Sequence, residues 1–212
     1  QKKFQDLVTN IPGAVYRCKY DPDWTMEYIS PTIKDISGYS EQDFILNKKR
    51  SYASIIHPDD QTLVEDAVSK GVKQHEPYVI NYRIIHKNKE IRWVYEKGQA
   101  LYDNEGNVAC LDGAIFDNTE SHELSEQLSY QASHDTLTGL VNRREFEKRL
   151  KRVLTTSRRD KSEHALLYLD LDQFKVVNDT CGHVAGDELL HQLGNLLNTE
   201  VRKRDTIARL GG

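Results

Sequence analysis

The chain has 212 residues, of which 29% are charged and 38% hydrophobic, with a formal net charge of −4. That composition suits one or two globular domains and excludes a fibre, and no apolar run reaches the about 18 residues a membrane-spanning helix needs. The whole of the net charge lies in the first 120 residues and the rest is neutral, so neither part has the basic excess of a nucleic-acid binder. The first residue is Gln1 and no secretory signal follows, so the expectation is a cytoplasmic piece of a longer chain, an upstream membrane anchor being left open. Cys18, Cys110 and Cys181 are far apart, odd in number and outside any CxxC pair, which reads as reduced thiols rather than a zinc site or a disulfide framework.

Residues 14–20 and 25–30 are short β-rich runs separated by the turn Asp21-Pro22-Asp23. Residues 31–50 break into short helices and loops around Gly38. His57-Pro58-Asp59-Asp60 reads as a helix start, with His57 part of the cap and the acidic side chains meeting free amides. Leu63, Val64, Ala67, Val68 and Val72 then mark a buried helical face. Three strands follow. Tyr78, Ile80, Tyr82 and Ile84 alternate with polar residues; Ile91, Trp93 and Tyr95 alternate with Arg92 and Glu96; residues 108–116 form the third. Turn-rich connections make them an antiparallel meander. Two strands, a helical middle and three more strands give an α+β unit, a five-stranded antiparallel sheet with helices on one face.

This part resembles a PAS domain of the sensory-box type over residues 1–120. The resemblance rests on Ile11-Pro12-Gly13-Ala14-Val15-Tyr16-Arg17, Asp21-Pro22-Asp23-Trp24-Thr25-Met26-Glu27-Tyr28, Ser37-Gly38-Tyr39, His57-Pro58-Asp59-Asp60, Ile91-Arg92-Trp93-Val94 and the closing Asp117-Asn118-Thr119-Glu120. Asn118 stands where the family usually has Ile, a departure that would loosen the junction. The family implies a sensor with a haem, a flavin, a small metabolite or nothing bound. Neither Cys18 nor Cys110 lies in the Asn-Cys-Arg motif of the flavin photosensors, and His75 and His86 are unmarked as haem ligands, so the PAS ligand stays open.

Residues 120–132 lack Pro and Gly and place Leu124, Leu128 and Ala132 at steps of four. This predicts a linker helix over 121–134, either held to its own domain or forming a two-helix seam in a dimer. A turn and a helix follow over 135–146, with caps at Thr138 and Asn142. Residues 165–169 are an apolar run, expected as a strand buried on both faces, ending in Asp170-Leu171-Asp172. On a strand, Asp170 and Asp172 would share a face about 7 Å apart, an arrangement that suits a divalent cation. An EF-hand is excluded, since Lys175 stands where its Gly belongs, and no GxxxxGK occurs. The string Phe174-Lys175, Asn178-Asp179, Gly182-His183, Gly186-Asp187 gathers a phosphate-seeking Lys, two glycines that admit close backbone approach, and an Asn and an Asp able to read a base edge. Leu189, Leu190, Leu193, Leu196, Leu197 and Val201 then mark an amphipathic helix over 188–203, followed by Arg202-Lys203-Arg204-Asp205, a short strand over 207–210 and Gly211-Gly212.

Residues 135–212 closely resemble the first half of the GGDEF domain of diguanylate cyclases, an α/β domain of the nucleotidyl-cyclase type. The signature's Asp-Glu-Phe is not in this sequence. The resemblance implies that Asp170 and the backbone carbonyl of Leu171 bind Mg²⁺ or Mn²⁺. It implies that Lys175 contacts phosphate in the catalytic site, that Asn178 and Asp187 read the guanine of GTP, and that Arg202 and Asp205 form the RxxD product-inhibition site. As an i,i+3 pair, Arg202 and Asp205 would alternatively be a surface ion pair worth about 0.3 kcal/mol. The expectation is a signal-regulated diguanylate cyclase. Two GTP molecules are condensed to cyclic di-GMP in a homodimer, and a PAS sensor over 1–120 acts through the 121–134 helix on the domain that begins at 135. Without the signature hairpin the 212 residues themselves are expected to be inactive, with the strand at 207–210 an open edge beside 165–169. A non-catalytic GTP- or cyclic di-GMP-binding domain, or a PAS interaction module alone, are the alternatives.

Overall fold

Alternating side chains and tight Asp-containing turns set the first sheet. β1 (Ala14–Cys18) buries Ala14, Tyr16 and Cys18 and turns through Asp21, whose Oδ1 accepts from Thr25 N, into β2 (Met26–Ile29). The computed structural model describes residues 12–202 and 204–211, and these divide into two units between Glu123 and Leu124. Ile11, Lys203 and Gly212, used in the sequence reading, lie outside the described residues.

In the first unit two short helices, α1 (Ile33–Ser37) and α2 (Glu41–Phe44), and two 3₁₀ turns precede α3 (Gln61–Gln74). Then come β3 (Tyr78–Ile85), β4 (Ile91–Tyr102) and β5 (Val108–Asp117), with strand order β2-β1-β5-β4-β3, all pairs antiparallel. This is the five-stranded sheet expected from the sequence. Its core runs from Ile33 and Phe44 through Val64 and Val68 to Tyr82, Ile84 and Ile115. Burying each such aliphatic side chain contributes about 1.5–3 kcal/mol.

Three expectations are corrected within this unit. Leu63 is 51% exposed; the other expected positions hold, with Val64 and Val68 buried and Ala67 and Val72 packed against the same core, and Gly71 joins them on the inward face. Asp60 does not cap α3 with its side chain; its carboxylate instead accepts from Arg83 N, Nε and Nη2 at 2.8, 2.9 and 2.6 Å. His57 does act as a cap, its Nδ1 accepting from Asp59 N. On β4 the alternation is present, but the buried face is Val94, Glu96 and Gly98 rather than Ile91, Trp93 and Tyr95, since the pairing of β4 with β3 sets Val94 beside Tyr82 and Gly98 beside Tyr78 on the core side.

α4 (Thr119–Ser133) leaves the sheet at Trp93, whose N donates to Thr119 Oγ1 and whose carbonyl accepts from Asn118 N. The His122 ring stacks on Trp93 at 3.9 Å. Leu124 and Leu128 are exposed and no residue of α4 is buried.

In the second unit β6 (Val141–Asn142) pairs in parallel with β7 (Ala208–Arg209). The helices are α5 (Arg143–Asp160), α6 (Phe174–Cys181) and α7 (His183–Glu200). Asn142 caps α5 as expected, its side chain accepting from Glu145 N at 2.9 Å. Thr138 is not a helix cap: it is buried, and its hydroxyl and amide both donate to Asp135 Oδ1, which also accepts from Arg209 Nη1. Partial burial raises the Asp135 carboxyl, but the Thr138 and Arg209 donors outweigh it and hold the group below the usual carboxylate range.

The largest departure is at 165–169. Residues 162–170 carry no regular structure, and Leu166, Leu167, Tyr168 and Leu169 are 66–80% exposed. A strand requires a neighbour to take its N–H and C=O groups, and no described segment pairs with this one. For the same reason the strand at 207–210 is not an edge beside 165–169; its Ala208–Arg209 portion pairs with β6.

Candidate functional site

Of the residues singled out after residue 169, Lys175 and Asn178 lie on α6 and Asp187 on α7, the two arms of a helical hairpin. Gln173, at φ 61°, turns the chain into α6, and the Leu171 carbonyl accepts from Phe174 N at 3.3 Å. Asp170 and Leu171 therefore sit at the entry to α6, one turn of chain before Lys175. Asp170 is exposed and in an irregular segment, so the paired same-face geometry expected for Asp170 and Asp172 on a strand is not formed.

α6 ends at Gly182, whose N–H donates to the Asn178 carbonyl at 2.9 Å, and α7 begins at once. Gly182 has φ 85°, a conformation in which the missing Cβ matters. The two helices pack so closely that a Cβ on Gly186 would collide with Asn178 Oδ1 and lie 3.3 Å from the Phe174 ring. The hairpin thus sets the Asn178 amide against residue 186, next to Asp187. Asn178 is half-buried, while Lys175 and Asp187 face solvent. An amide and a carboxylate are chemically able to match a donor-and-acceptor base edge, and a site built to hydrogen-bond a group rejects analogues that lack it. Further along α7, His191 Nδ1 lies 3.0 Å from the Leu137 carbonyl, tying the hairpin to the 135–142 loop.

Arg202 and Asp205 share a turn in which Asp205 N donates to the Arg202 carbonyl at 2.9 Å. The Asp205 carboxylate lies 4.0 Å from Arg204 Nε, so Asp205 pairs with its neighbour rather than as an i,i+3 ion pair with Arg202.

Oxygen donors for a cation are sparse. Among the described residues no group of three or more His, Cys, Asp and Glu side chains could hold a metal ion. Asp170 and the Leu171 carbonyl suit a hard cation chemically, but such ions take six or more oxygens, so the others must come from a bound phosphate, water or further chain.

A second polar site, invisible to the sequence reading, lies inside the first unit. Glu96 is only 6% exposed and accepts from Tyr16 Oη on Oε1 and from Tyr82 Oη on Oε2, each at 2.5 Å. Tyr78 Oη lies 2.9 Å from Tyr16 Oη, and Tyr52 Oη 2.8 Å from Tyr82 Oη. A cavity of about 10 Å³ adjoins them, lined by Tyr16, Tyr52, Tyr78 and Glu96 among apolar side chains. That is room for about one water. A haem or flavin would enter this cavity only by displacing core side chains. The available sequence signal was a lone Glu within a strand otherwise facing Tyr-rich neighbours.

Two parts of the chain match known families. Residues 26–115 match the family described as PAS fold, and residues 132–212 match the family described as diguanylate cyclase, GGDEF domain. The chain is 52% identical over 195 residues to the probable diguanylate cyclase DgcE of Escherichia coli K12, covering 87% of this chain and 17% of that protein. It is 40% identical over 104 residues to the diguanylate cyclase TpbB of Pseudomonas aeruginosa PAO1, covering 47% of this chain and 24% of that protein. The fold of a sensory box histidine kinase/response regulator from Burkholderia thailandensis E264 matches with a TM-score of 0.51 at 25% identity, over 61% of this chain and 95% of that one. The chain therefore spans about a fifth of the length of these curated relatives. GGDEF diguanylate cyclases are generally metal-dependent. No described helix is long and apolar enough to cross a membrane.

Proposed function

The chain joins a PAS fold to a segment of the GGDEF family, and on that premise we propose that it belongs to a signal-regulated diguanylate cyclase that condenses two GTP molecules into cyclic di-GMP. The observation that carries the reading is the α6–α7 hairpin, where Gly186 leaves room for the Asn178 amide beside Asp187. In this reading Asp187 accepts from the N1–H and exocyclic amine of guanine and Asn178 completes the match. Adenine offers neither pattern. Lys175, one turn before Asn178 on the same helix, provides a cation for the triphosphate.

Asp170 and the Leu171 carbonyl would hold Mg²⁺ or Mn²⁺, which when bound neutralises phosphate charge and favours the 3′-hydroxyl as nucleophile. The rest of the work falls to this chain's residues: orienting the base, positioning the phosphates and excluding the wrong nucleotide. Each domain holds one GTP, so two copies must meet for the 3′-hydroxyl of one nucleotide to attack the α-phosphorus of the other and release pyrophosphate. A homodimer follows, and the exposed Leu124–Leu128–Ala132 stripe of α4 is its seam or its control element. Arg202 and Asp205 are assigned to product inhibition, and the protein to the cytoplasm.

The test is nucleotide discrimination in the full-length protein. Asp187→Ala should reduce the preference for GTP over ATP by about 1–3 kcal/mol, because donors on guanine lose their acceptor. An unchanged preference would contradict the assignment.

A further inference from the structure

Glu96 and its tyrosines can be counted proton by proton. With the carboxyl ionised, Tyr78 donates to Tyr16 and Tyr16 to Oε1, while Tyr52 donates to Tyr82 and Tyr82 to Oε2. Four hydroxyl protons then meet four acceptors, and each carboxylate oxygen has one donor. A fifth proton, placed on Glu96, must be donated to Tyr16 or Tyr82. That arm of the chain reverses, and the hydroxyl at its end, on Tyr78 or Tyr52, needs an acceptor outside the chain. Both end tyrosines line the cavity of about 10 Å³, which admits one water to serve as that acceptor. The arrangement is built rather than incidental. A Cβ on Gly98 would come 2.5 Å from Tyr78 Oη, and one on Gly113 2.6 Å from Tyr16 Oη, so glycines in two strand interiors clear the space for the hydroxyls.

We propose that Glu96 is a buried proton-binding site of the first unit, switching the direction of one arm of the tyrosine chain as the proton comes or goes. Every titratable group that faces it is neutral in both states: Tyr16 and Cys18 from β1, Tyr78 and Tyr82 from β3, and Tyr52 before the first 3₁₀ turn. α3 presents Val64 and Val68, β5 presents Leu111 and Ile115, and no cation faces the carboxyl among the described residues. Burial accordingly pushes the Glu96 carboxyl up, and the Tyr16 and Tyr82 hydrogen bonds pull it only part of the way back. The strand that carries the site also holds the start of α4, through Trp93 three residues away, so the proton is an input the unit can pass to its outgoing helix.

The experiment is a carboxyl ¹³C titration of the whole chain from about pH 4 to about pH 9, beside Glu96→Gln, with chemical unfolding followed over the same range. One glutamate resonance, absent in Glu96→Gln, should titrate above the rest. Between the ordinary and the raised titration point the native state binds one proton more than the unfolded chain. The unfolding constant should therefore rise with pH by up to about tenfold per unit in the wild type. In Glu96→Gln that rise should be missing. A Glu96 resonance that titrates with the exposed glutamates, or parallel unfolding profiles, would overturn the proposal. Should Glu96→Gln not fold, Tyr16→Phe removes one donor and keeps the ring; it must move the same resonance to higher pH, and an unmoved titration would also overturn it.

Discussion

Asp60 and Arg83 show how one ion pair replaces a helix cap. Three hydrogen bonds from Arg83 hold the Asp60 carboxyl below the usual carboxylate range, burial acting against them. Because the folded value is depressed, the pair's stabilisation is present above the unfolded value and is lost as pH falls through the folded one. Asp60→Ala, which removes three hydrogen bonds and leaves the partly buried Arg83 only its longer contact to Asp59 Oδ2 at 3.6 Å, should cost about 1–3 kcal/mol of unfolding free energy at neutral pH and flatten the acid side of the stability profile. Denaturant titrations at several pH values check both. His57 was legible from the motif because its cap is local. Asp60 was not, since its partner lies 23 residues away on β3. Glu96 was misread for a related reason: alternation shows that two faces exist but not which one meets the core, and a charged residue counts toward solvent until its partners are known.

At the scale of elements, legibility followed the source of each element's stability. α5 was readable because its stabilising contacts are internal, with the Asn142 cap and the Arg143–Glu147 and Arg149–Glu145 pairs four residues apart. Asn142→Ala should lower the stability of the second unit by about 1 kcal/mol, measured by thermal unfolding. The run at 165–169 has strand composition, but a strand is completed by neighbours, and composition cannot supply them. The α4 stripe was equally visible, and its residues stand exposed. Leu128→Glu in the full-length protein should shift dimer toward monomer in sedimentation or remove control of the output by the PAS unit. If neither changes, the stripe serves only its own helix.

Across the whole molecule the two units differ in how much apolar surface they hide. Among the described residues the first packs 21 into one buried cluster. The second buries Leu140 and Val141 with Thr138, Gly186 and Gly194, and leaves Leu166, Leu167, Tyr168 and Leu169 in solvent. Hydrogen exchange should therefore find the β3–β4–β5 amides strongly protected and those of 162–170 near the unprotected rate. Protection at 162–170 matching that of β4 would show that the segment is paired after all. The order of the PAS and GGDEF segments and the five-stranded sheet were readable from motifs in sequence. Which strands pair in the second unit, and what fills the core of the first, depend on contacts between distant residues. The central reading is best tested by product formation: full-length protein with GTP and Mg²⁺, wild type beside Asp170→Asn, with cyclic di-GMP quantified. The expected result is cyclic di-GMP from the wild type and a loss of at least about tenfold, about 1.4 kcal/mol of barrier, in the variant. No cyclic di-GMP from the wild-type protein, with or without the signal that its sensor receives, would contradict it.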